Sequence, residues 1–390
     1  MPFELKQGEA SALGAYFRER EDAVLSLVRE LVEIESPSGD LEGNAAAVSL
    51  LAESARGLGI DAEVKLESDA KYGAHLLIRA FGNRDAGQPT TLILGHTDTV
   101  HPRGSIAARP WREEDGRVYA PGIFDMKANC ALALESLRAC ASLGLRPSNP
   151  VVILLTCDEE VGSESGRPLV EAEARRASHV LVFEPSAPGG RAKTARKGTS
   201  SYNVRAEGIA AHAGLDPEKG ASAILEIARQ IERLHTLGDA ARGVTLNAGV
   251  VSGGTRSNVV AALAETEVDV RFSTMGDALR MEETFRNLRP FDERVKLTVE
   301  GSINRPPLER TEAVGALYEH ARRIASLLDF ELGEASVGGA SDGNFAAAVG
   351  ATVLDGLGIA GDGAHAAHEH INREDIARRG ALLAGLLVTL

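Results

Sequence analysis

The sequence predicts an α/β protein in which a mostly parallel sheet is flanked by helices and an α+β domain is inserted into the chain. Three observations support this fold class. Apolar runs of strand length alternate with helical patterns through the first half of the chain. One of them, Val151–Thr156, is almost wholly aliphatic, as expected of a central strand covered on both faces. Beyond a Gly/Pro-rich linker at residues 186–190, the order becomes β-α-β-β-α-β.

The length and composition fit a globular protein of two domains. A chain of 390 residues can bury more than one core, and its apolar (44%) and charged (25%) fractions are ordinary for folded proteins. We predict that residues 1–193 and 304–390 form one discontinuous α/β domain. Residues 194–303 are predicted to form the inserted domain, with a ferredoxin-like plan.

The first half of the chain is predicted to begin with two helices, because apolar residues recur at helical spacing and each run stops at a glycine-containing segment. A third helix is predicted to open at Asp125 and to end before Gly144. Short apolar runs predict the strands of the main sheet. The predicted helices are 11–35, 42–58 and 125–143, and the predicted strands are 62–66, 75–80, 91–94, 117–119, 151–156 and 179–183.

The second half holds the six elements of the inserted domain and the return to the first domain. Alternating apolar positions predict the strands, and helical spacing predicts the helices. The segment NRPP at residues 304–307 marks the end of the insertion. The predicted elements are strand 199–207, helix 221–234, strands 244–251 and 265–272, helix 277–288, strand 295–300, helix 311–328, a short strand near residue 332 and a helix from about residue 372.

Charge and cysteine content argue against several classes of function. A net charge of −14 disfavours nucleic acid or an anionic membrane as a standing partner, but it leaves small substrates open. The three cysteines are an odd number without metal-binding spacing, which disfavours a disulfide framework. The sequence contains neither an export signal nor a stretch long enough to span a bilayer. We therefore expect a soluble, cytoplasmic protein.

Histidine and carboxylate side chains gather where predicted strands end. His96 and Asp98 follow the aliphatic residues 92–94. Because side chains alternate along a strand, both are expected on the same side. A carboxylate next to a histidine commonly fixes the tautomer of a metal-binding imidazole. Taken alone, the pair is equally consistent with a hydrogen-bonded histidine at a polar strand end.

Four further polar segments follow along the chain. Asp125 lies where a helix is predicted to begin, a position at which a carboxylate also serves as an N-terminal cap. Residues 158–160 are three consecutive acids, and carboxylates crowded at a strand end repel one another unless a cation lies among them. A solvated loop is the alternative there. Glu184 ends another predicted strand, and residues 361–370 (GDGAHAAHEH) are rich in histidine.

The types of side chain indicate which metal such a site would take. The segments supply imidazoles and carboxylates but no suitably spaced thiolate, a set that suits Zn²⁺, with Mn²⁺ or Co²⁺ as alternatives. At least five candidate ligands are present, more than one tetrahedral zinc ion uses. This favours two metal ions about 3.5–4 Å apart that share a bridging carboxylate.

Together the segments resemble the M20 metallopeptidase family, and within it the glutamate carboxypeptidase (carboxypeptidase G2-like) branch. The resemblance covers essentially the whole chain, with the motifs in the family's order. It implies a zinc-peptidase catalytic domain and an inserted domain that serves in dimerisation and as a lid. The motifs are GHTDTV at residues 95–100, Gly122 with DMK at 125–127, the acids 158–160, Glu184-Pro185 and residues 365–369.

The resemblance implies two zinc ions per subunit, with Asp125 as the ligand that bridges them. One site would be completed by His96 and Glu184, and the other by Glu160 and His365. The implied metal ligands are therefore His96, Asp125, Glu160, Glu184 and His365.

Two more residues of the same domain receive roles from the resemblance. Asp98 would orient the imidazole of His96 without binding the metal itself. Glu159 would be the general base, which takes a proton from the attacking water and later gives it to the leaving amine. His365 is preferred to His368 as the ligand because the family places a histidine four residues before a glutamate, here Glu369.

The resemblance also implies three residues that contact the substrate. His212 lies in a segment whose histidine reaches the partner subunit's active site and stabilises the oxyanion. Asn258 lies in a loop whose asparagine contacts substrate. Arg305 matches an arginine that binds the free α-carboxylate, a task that suits the bidentate geometry of guanidinium. A homodimer is expected because the histidine that His212 matches acts in the active site of the partner subunit.

The expected function is that of a dizinc carboxypeptidase or amidohydrolase that releases a C-terminal amino acid, with glutamate expected, from an N-acyl or peptidyl substrate. Glu184 supports this hypothesis, because family aminopeptidases carry aspartate there. The first alternative is an N-acyl amino acid deacylase of the acetylornithine deacetylase or succinyl-diaminopimelate desuccinylase type. The second is a binding protein on an inactive hydrolase fold, which the presence of Glu159 disfavours. One departure from the family is Ala128-Asn129, where paired glycines are usual.

Overall fold

A computed structural model of the protein describes residues 4–82 and 87–390. Within these residues the chain divides into two compact units. The first unit comprises the described part of Met1–Ala195 together with Arg310–Val337 and Ser341–Leu390, and the second comprises Arg196–Glu309 with Gly338–Ala340. Among the described residues, no helix is both long enough and apolar enough to cross a bilayer.

The secondary structure shows the predicted alternation of helices and strands. The helices of the described residues are α1 (Gln7–Glu33), α2 (Leu41–Arg56), α3 (Ser105–Ala108), α4 (Ala128–Ser142), α5 (Gly166–Ala174), α6 (Ala223–His235), α7 (Met275–Arg286), α8 (Glu312–Leu327), α9 (Gly343–Ala348) and α10 (Asp375–Thr389). The strands are β1 (Ala62–Asp69), β2 (Gly73–Ala80), β3 (Thr90–His96), β4 (Arg112–Glu114), β5 (Arg117–Tyr119), β6 (Val151–Thr156), β7 (Ala177–Val182), β8 (Ala192–Arg196), β9 (Gly198–Glu207), β10 (Thr245–Gly253), β11 (Leu263–Phe272), β12 (Lys296–Arg305), β13 (Glu334–Val337), β14 (Val353–Leu354), β15 (Gly361–Asp362) and β16 (His370–Asn372).

The first unit is built on a six-stranded sheet in the order β1-β2-β6-β3-β7-β14. β6, β3, β7 and β14 pair in parallel, whereas β1 and β2 pair antiparallel at one edge. β6 is buried along its whole length, because its unbroken aliphatic sequence has both faces covered. The predicted mostly parallel α/β sheet is confirmed.

Helices supply the rest of the first unit's core. Apolar residues of α1, α4 and α10 belong to one buried cluster. Every residue of α10 except Arg378 is buried, so this helix is enclosed by the unit rather than lying on its surface. Gly380 in α10 is packed directly against the ring of Phe17, and a β-carbon there would collide with it. The absent side chain therefore permits the close approach of α1 and α10.

The second unit contains the order β9-α6-β10-β11-α7-β12. Its four strands form an antiparallel sheet in the order β10-β11-β9-β12, which is the ferredoxin-like arrangement. Buried and partly exposed residues alternate along β9 and β11, because one face of the sheet packs on the core. The predicted ferredoxin-like plan is confirmed.

The predicted helix at residues 125–143 is wrong at its start. α4 begins at Ala128, and Ile123–Lys127 forms an irregular turn in which Asp125 and Met126 have non-helical backbone angles. Asp125 therefore does not cap a regular helix. The sequence did not predict the short elements α3, α5, α9, β4, β8, β14, β15 and β16, because short runs carry too little periodicity.

Candidate metal centre

Three of the five candidate ligands lie at the carboxyl ends of three neighbouring parallel strands. His96 is the last residue of β3 and pairs with Thr156, the last residue of β6. Glu160 follows β6 in the turn Glu159–Val161, and Glu184 follows the end of β7. Open α/β sheets bind their ligands at this edge, because the connecting loops there meet in one place.

The first group of candidate ligands is His96, Asp125 and Glu184. Nε2 of His96 lies 3.1 Å from Oδ1 of Asp125 and 3.4 Å from Oε1 of Glu184. The imidazole is 1% exposed. One potential ligand atom from each of the three residues lies within 4.8 Å of the others. The structure therefore brings together the three residues predicted for one site.

The second group is Asp125, Glu160 and His365, whose potential ligand atoms also lie within 4.8 Å of one another. Nε2 of His365 lies 3.4 Å from Oδ2 of Asp125 and 3.2 Å from Oε2 of Glu160. Asp125 thus presents one carboxylate oxygen to each group. His365 has a φ of +64°, a left-handed conformation that is unfavourable for residues other than glycine. Such strain at a non-glycine residue is typical of functional positions.

Asp98 connects the first group to the acidic turn after β6. The Nδ1 atom of His96 lies 2.9 Å from the Asp98 carbonyl oxygen and 3.4 Å from its Oδ1. These acceptors hold a proton on Nδ1, so the nitrogen that is available to bind a metal ion, once it has lost its own proton, is Nε2. The backbone amides of Glu159 and Glu160 donate to the two Asp98 carboxylate oxygens, each at 3.2 Å. The buried Asp98 carboxylate therefore fixes both the orientation of the His96 ring and the position of the turn that carries Glu159 and Glu160.

The protonation states show how strongly the centre attracts positive charge. Hydrogen bonds to Asp125 and Glu160 raise the pKa of His365 to about 10. Burial alone would lower the pKa of His96, but its bonds to Asp125, Asp98 and Glu184 raise that pKa well above the ordinary value. Burial raises the pKa of Glu160. The carboxylates around the two imidazoles thus favour positive charge at this place, whether it comes from a proton or from a metal ion.

The donor set fits divalent metal ions. Two imidazoles and three carboxylates converge, and hard or borderline cations such as Zn²⁺, Mn²⁺ and Co²⁺ accept this mixture. The Oε1 atom of Glu160 is buried and has no hydrogen-bond partner among the described residues. A buried carboxylate oxygen without a partner is costly unless a cation satisfies it.

In a third group, His75, Cys157 and Asp158, the potential ligand atoms also lie within 4.8 Å of one another. The Asp158 carboxylate, however, already accepts bonds from the Ser165 amide (2.6 Å) and hydroxyl (2.8 Å) and from the Gly166 amide (3.2 Å). Burial raises the pKa of the Cys157 thiol, which disfavours the thiolate that binds metal. We interpret this group as a structural brace at the start of α5.

The residues expected to contact substrate lie in the second unit. His212 is exposed, and its Nδ1 accepts hydrogen bonds from the amides of Gly214 and Leu215, both at 3.1 Å. The proton of the neutral ring is therefore on Nε2. The exposed Asn258 is close by, since its carbonyl accepts from the amide after His212 at 3.0 Å. Arg305 ends β12 and is only 5% exposed.

The roles of three residues, Glu369, His101 and Asn129, could not be predicted from the sequence. Glu369 served there only to mark a spacing, yet it is buried and accepts three backbone hydrogen bonds from residues 122–125. His101, which contacts it, carried no signal at all. Asn129, at a position where the resemblance implies a glycine, accepts a hydrogen bond at its Oδ1 from the Ile359 amide at 2.9 Å. His368 is exposed and belongs to neither ligand group.

A parallel α/β sheet with imidazoles and carboxylates gathered at its strand ends defines a metal-dependent hydrolase. The chain belongs to the peptidase family M20/M25/M40, whose family model matches residues 92–389. It is therefore a metallopeptidase or amidohydrolase of that family.

Individual relatives show how the similarity is distributed. The chain is 30% identical over 379 residues to carboxypeptidase G2 of Pseudomonas sp. (strain RS-16), which covers 95% of this chain and 90% of that protein. It is 32% identical over 221 residues to acetylornithine deacetylase of Myxococcus xanthus, covering 53% and 56% of the two chains. The fold is similar to the Bacillus subtilis YXEP protein, a dinuclear metal-binding peptidase from family M20, with a TM-score of 0.68, 14% identity and coverage of 96% and 100%.

Proposed function

We propose that the protein is a dizinc carboxypeptidase that hydrolyses an amide bond and releases a C-terminal amino acid, with glutamate as the expected product. The observation that carries this proposal is the position of Asp125. Its two carboxylate oxygens face two different ligand groups, each containing one imidazole and one further carboxylate. One carboxylate shared in this way is the arrangement that two-metal hydrolases use.

The proposed mechanism assigns separate tasks to the chain's own residues. His96, Asp125 and Glu184 would hold one zinc ion, and Asp125, Glu160 and His365 the other. Two zinc ions would polarise the scissile carbonyl and lower the pKa of the attacking water.

Proton transfer is the task of Glu159, which the Asp98-anchored turn presents beside Glu160. It would take the proton from the water and give it to the leaving amine. The Nε2–H of His212 would donate to the oxyanion, a role that its fixed tautomer suits. Arg305 would bind the free α-carboxylate and Asn258 would contact the substrate.

Similarity to carboxypeptidase G2 over nearly the whole chain supports release of glutamate. The second candidate is an N-acyl amino acid deacylase of the acetylornithine deacetylase type, which the shorter match to the Myxococcus xanthus enzyme favours. Both candidates use the same metal centre and differ only in the acyl group and amino acid that are separated.

We also propose a homodimer formed through the second unit. β10 is an edge strand, and Val250 and Val251 on it are 54% and 64% exposed. Ile224 and Leu225 in α6 are also exposed, at 47% and 52%. An open edge flanked by exposed apolar side chains invites strand pairing with another chain. A second copy of this chain would cover both features.

A substrate screen tests the proposed function. The zinc-reconstituted protein would be assayed against folyl-glutamate, peptidyl-glutamate, the same peptide ending in leucine, and N-acetylornithine. The highest kcat/KM is expected for the glutamate conjugates. Glu159→Gln protein prepared in parallel controls for contaminating peptidases. Hydrolysis of N-acetylornithine alone would refute the carboxypeptidase assignment in favour of the deacylase.

A further inference from the structure

The Glu369 carboxylate lies beneath the turn that carries Asp125. It is 2% exposed, and its oxygens accept hydrogen bonds from the amides of Gly122 (2.7 Å), Phe124 (2.9 Å) and Asp125 (3.0 Å). Buried backbone amides need hydrogen-bond acceptors, and those of an irregular turn are not all supplied by a helical hydrogen-bond pattern. Here a side chain from near the other end of the chain gathers them, so the turn takes its irregular shape around one anion.

A second side chain completes the surroundings of this carboxylate. Nε2 of His101, itself 8% exposed, lies 2.5 Å from Oε2 of Glu369. On the other side of the ring, Nη2 of Arg109 lies 3.2 Å from Nδ1 of His101. Arginine can only donate, so Nδ1 is the acceptor and the ring proton is on Nε2. The three side chains therefore form one directed chain of hydrogen bonds that ends on Glu369.

The same residues also hold the loop that carries His365. Nη1 of Arg109 donates to the carbonyl oxygen of Ala366 at 3.2 Å. The Glu369 amide donates to that same carbonyl at 3.3 Å. The residue next to His365 is thus fixed from two directions, although His365 itself has an unfavourable positive φ. The Asp125 turn and the His365 loop are both tied to Glu369.

We propose that Arg109, His101 and Glu369 are positioning residues that set the distance between Asp125 and His365 and thereby the metal affinity of the site these two share with Glu160. The inference rests on the proposed two-metal function but adds residues that the mechanism does not use. None of the three positioning residues belongs to either ligand group. Groups behind metal ligands typically change metal affinity by about 10- to 100-fold when they are replaced.

The test uses Glu369→Gln, because glutamine keeps the shape but points an amide N–H₂ at backbone donors. Zinc stoichiometry and Kd would be measured on the full-length protein by competition with a chromophoric chelator. We expect one of the two sites to weaken by about 10- to 100-fold while the other changes far less. Glu374→Gln, at a side chain that is 76% exposed, is the matched control and should bind zinc as the unaltered protein does.

Arg109→Met keeps the proposal testable if Glu369→Gln does not fold, because Arg109 is only partly buried and the aliphatic stem is retained. It should weaken the same site in the same direction. The melting temperature of the metal-free proteins separates positioning from bulk stability. A lower metal-free melting temperature with both zinc Kd values unchanged would overturn the proposal. If the unaltered protein bound no zinc, the proposed function itself would fail instead.

Discussion

His96 and His365 lie against opposite oxygens of a single carboxylate, with their Nε2 atoms 3.1 Å and 3.4 Å from Oδ1 and Oδ2 of Asp125. Each imidazole also faces a carboxylate of its own, Glu184 or Glu160. The two ligand groups are therefore coupled through one side chain. A substitution at Asp125 should affect both ligand groups, whereas a substitution at either histidine should mainly affect the group to which that histidine belongs.

Replacement of Asp125 by asparagine tests this coupling. The amide cannot bridge two cations as an anion does, so we expect zinc content to fall from two ions to at most one per chain. Turnover should fall by about 10³-fold or more, because two-metal chemistry is lost. Metal analysis and steady-state kinetics would measure these effects. Asp22→Asn, at a side chain that is 90% exposed, should change neither quantity.

Glu159→Gln should separate metal binding from proton transfer. Glu159 belongs to neither ligand group, so zinc content is expected to stay at two ions per chain. Loss of a general base should reduce kcat by about 10²- to 10⁴-fold with little change in KM. Steady-state kinetics with the best substrate of the screen would measure both constants. Turnover within a few-fold of the unaltered enzyme would exclude Glu159 as the base.

Metal affinity should fall as the pH falls. Without metal, the pKa of His365 is about 10, so this imidazole carries a proton throughout the neutral range. A metal ion that binds to His365 must displace this proton. The affinity of that site for zinc is therefore expected to drop about tenfold for each unit by which the pH decreases. Zinc Kd values between pH 6 and pH 8 would show the slope. An affinity independent of pH would place the metal away from His365.

Chelation should lower the melting temperature, and added zinc should restore it, because a metal that binds only the folded state stabilises that state. The zinc-dependent rise in melting temperature should become smaller toward pH 6, because zinc binds more weakly there. Differential scanning calorimetry with and without chelator would measure it. Mg²⁺ in place of zinc serves as the control, since it prefers an octahedral set of oxygen ligands and should restore little.

Mixed dimers test whether His212 acts in the partner's site. Subunits carrying Glu159→Gln and subunits carrying His212→Ala should each be nearly inactive alone. In a mixed dimer, one site combines an intact Glu159 with an intact His212, so random re-pairing should restore about a quarter of normal activity. Activity of mixtures before and after re-pairing would be compared. No recovery in verified mixed dimers would place His212 in its own subunit's site.

Local patterns predicted the scaffold of the site well. The aliphatic run of β6 indicated a buried central strand with the observed bounds, and the alternation at His96 and Asp98 indicated that the two side chains act together. These features depend on neighbours within a few residues. The β-α-β-β-α-β order was equally visible, because each element there is long enough to show its period.

Contacts between distant segments could not be predicted from such patterns. The turn before α4 is irregular because Glu369, far along the chain, binds its amides. His101 gains its role only from that carboxylate. The choice of His365 over His368 needed the family's spacing, and the positive φ that presents His365 has no signal in residue type, since glycine would be the expected residue there.

The order in which the chain is synthesised gives the position of His365 and Glu369 a consequence for biosynthesis. His96, Asp125, Glu160 and Glu184 all leave the ribosome long before these two residues, which stand shortly before the C-terminal helix α10. Until then the second ligand group lacks His365, and the Asp125 turn lacks the carboxylate that binds its amides. The second ligand group would therefore be completed only when the last segment of the chain has been made and has folded, and a chain cut short before residue 365 would lack one of the three members of that group.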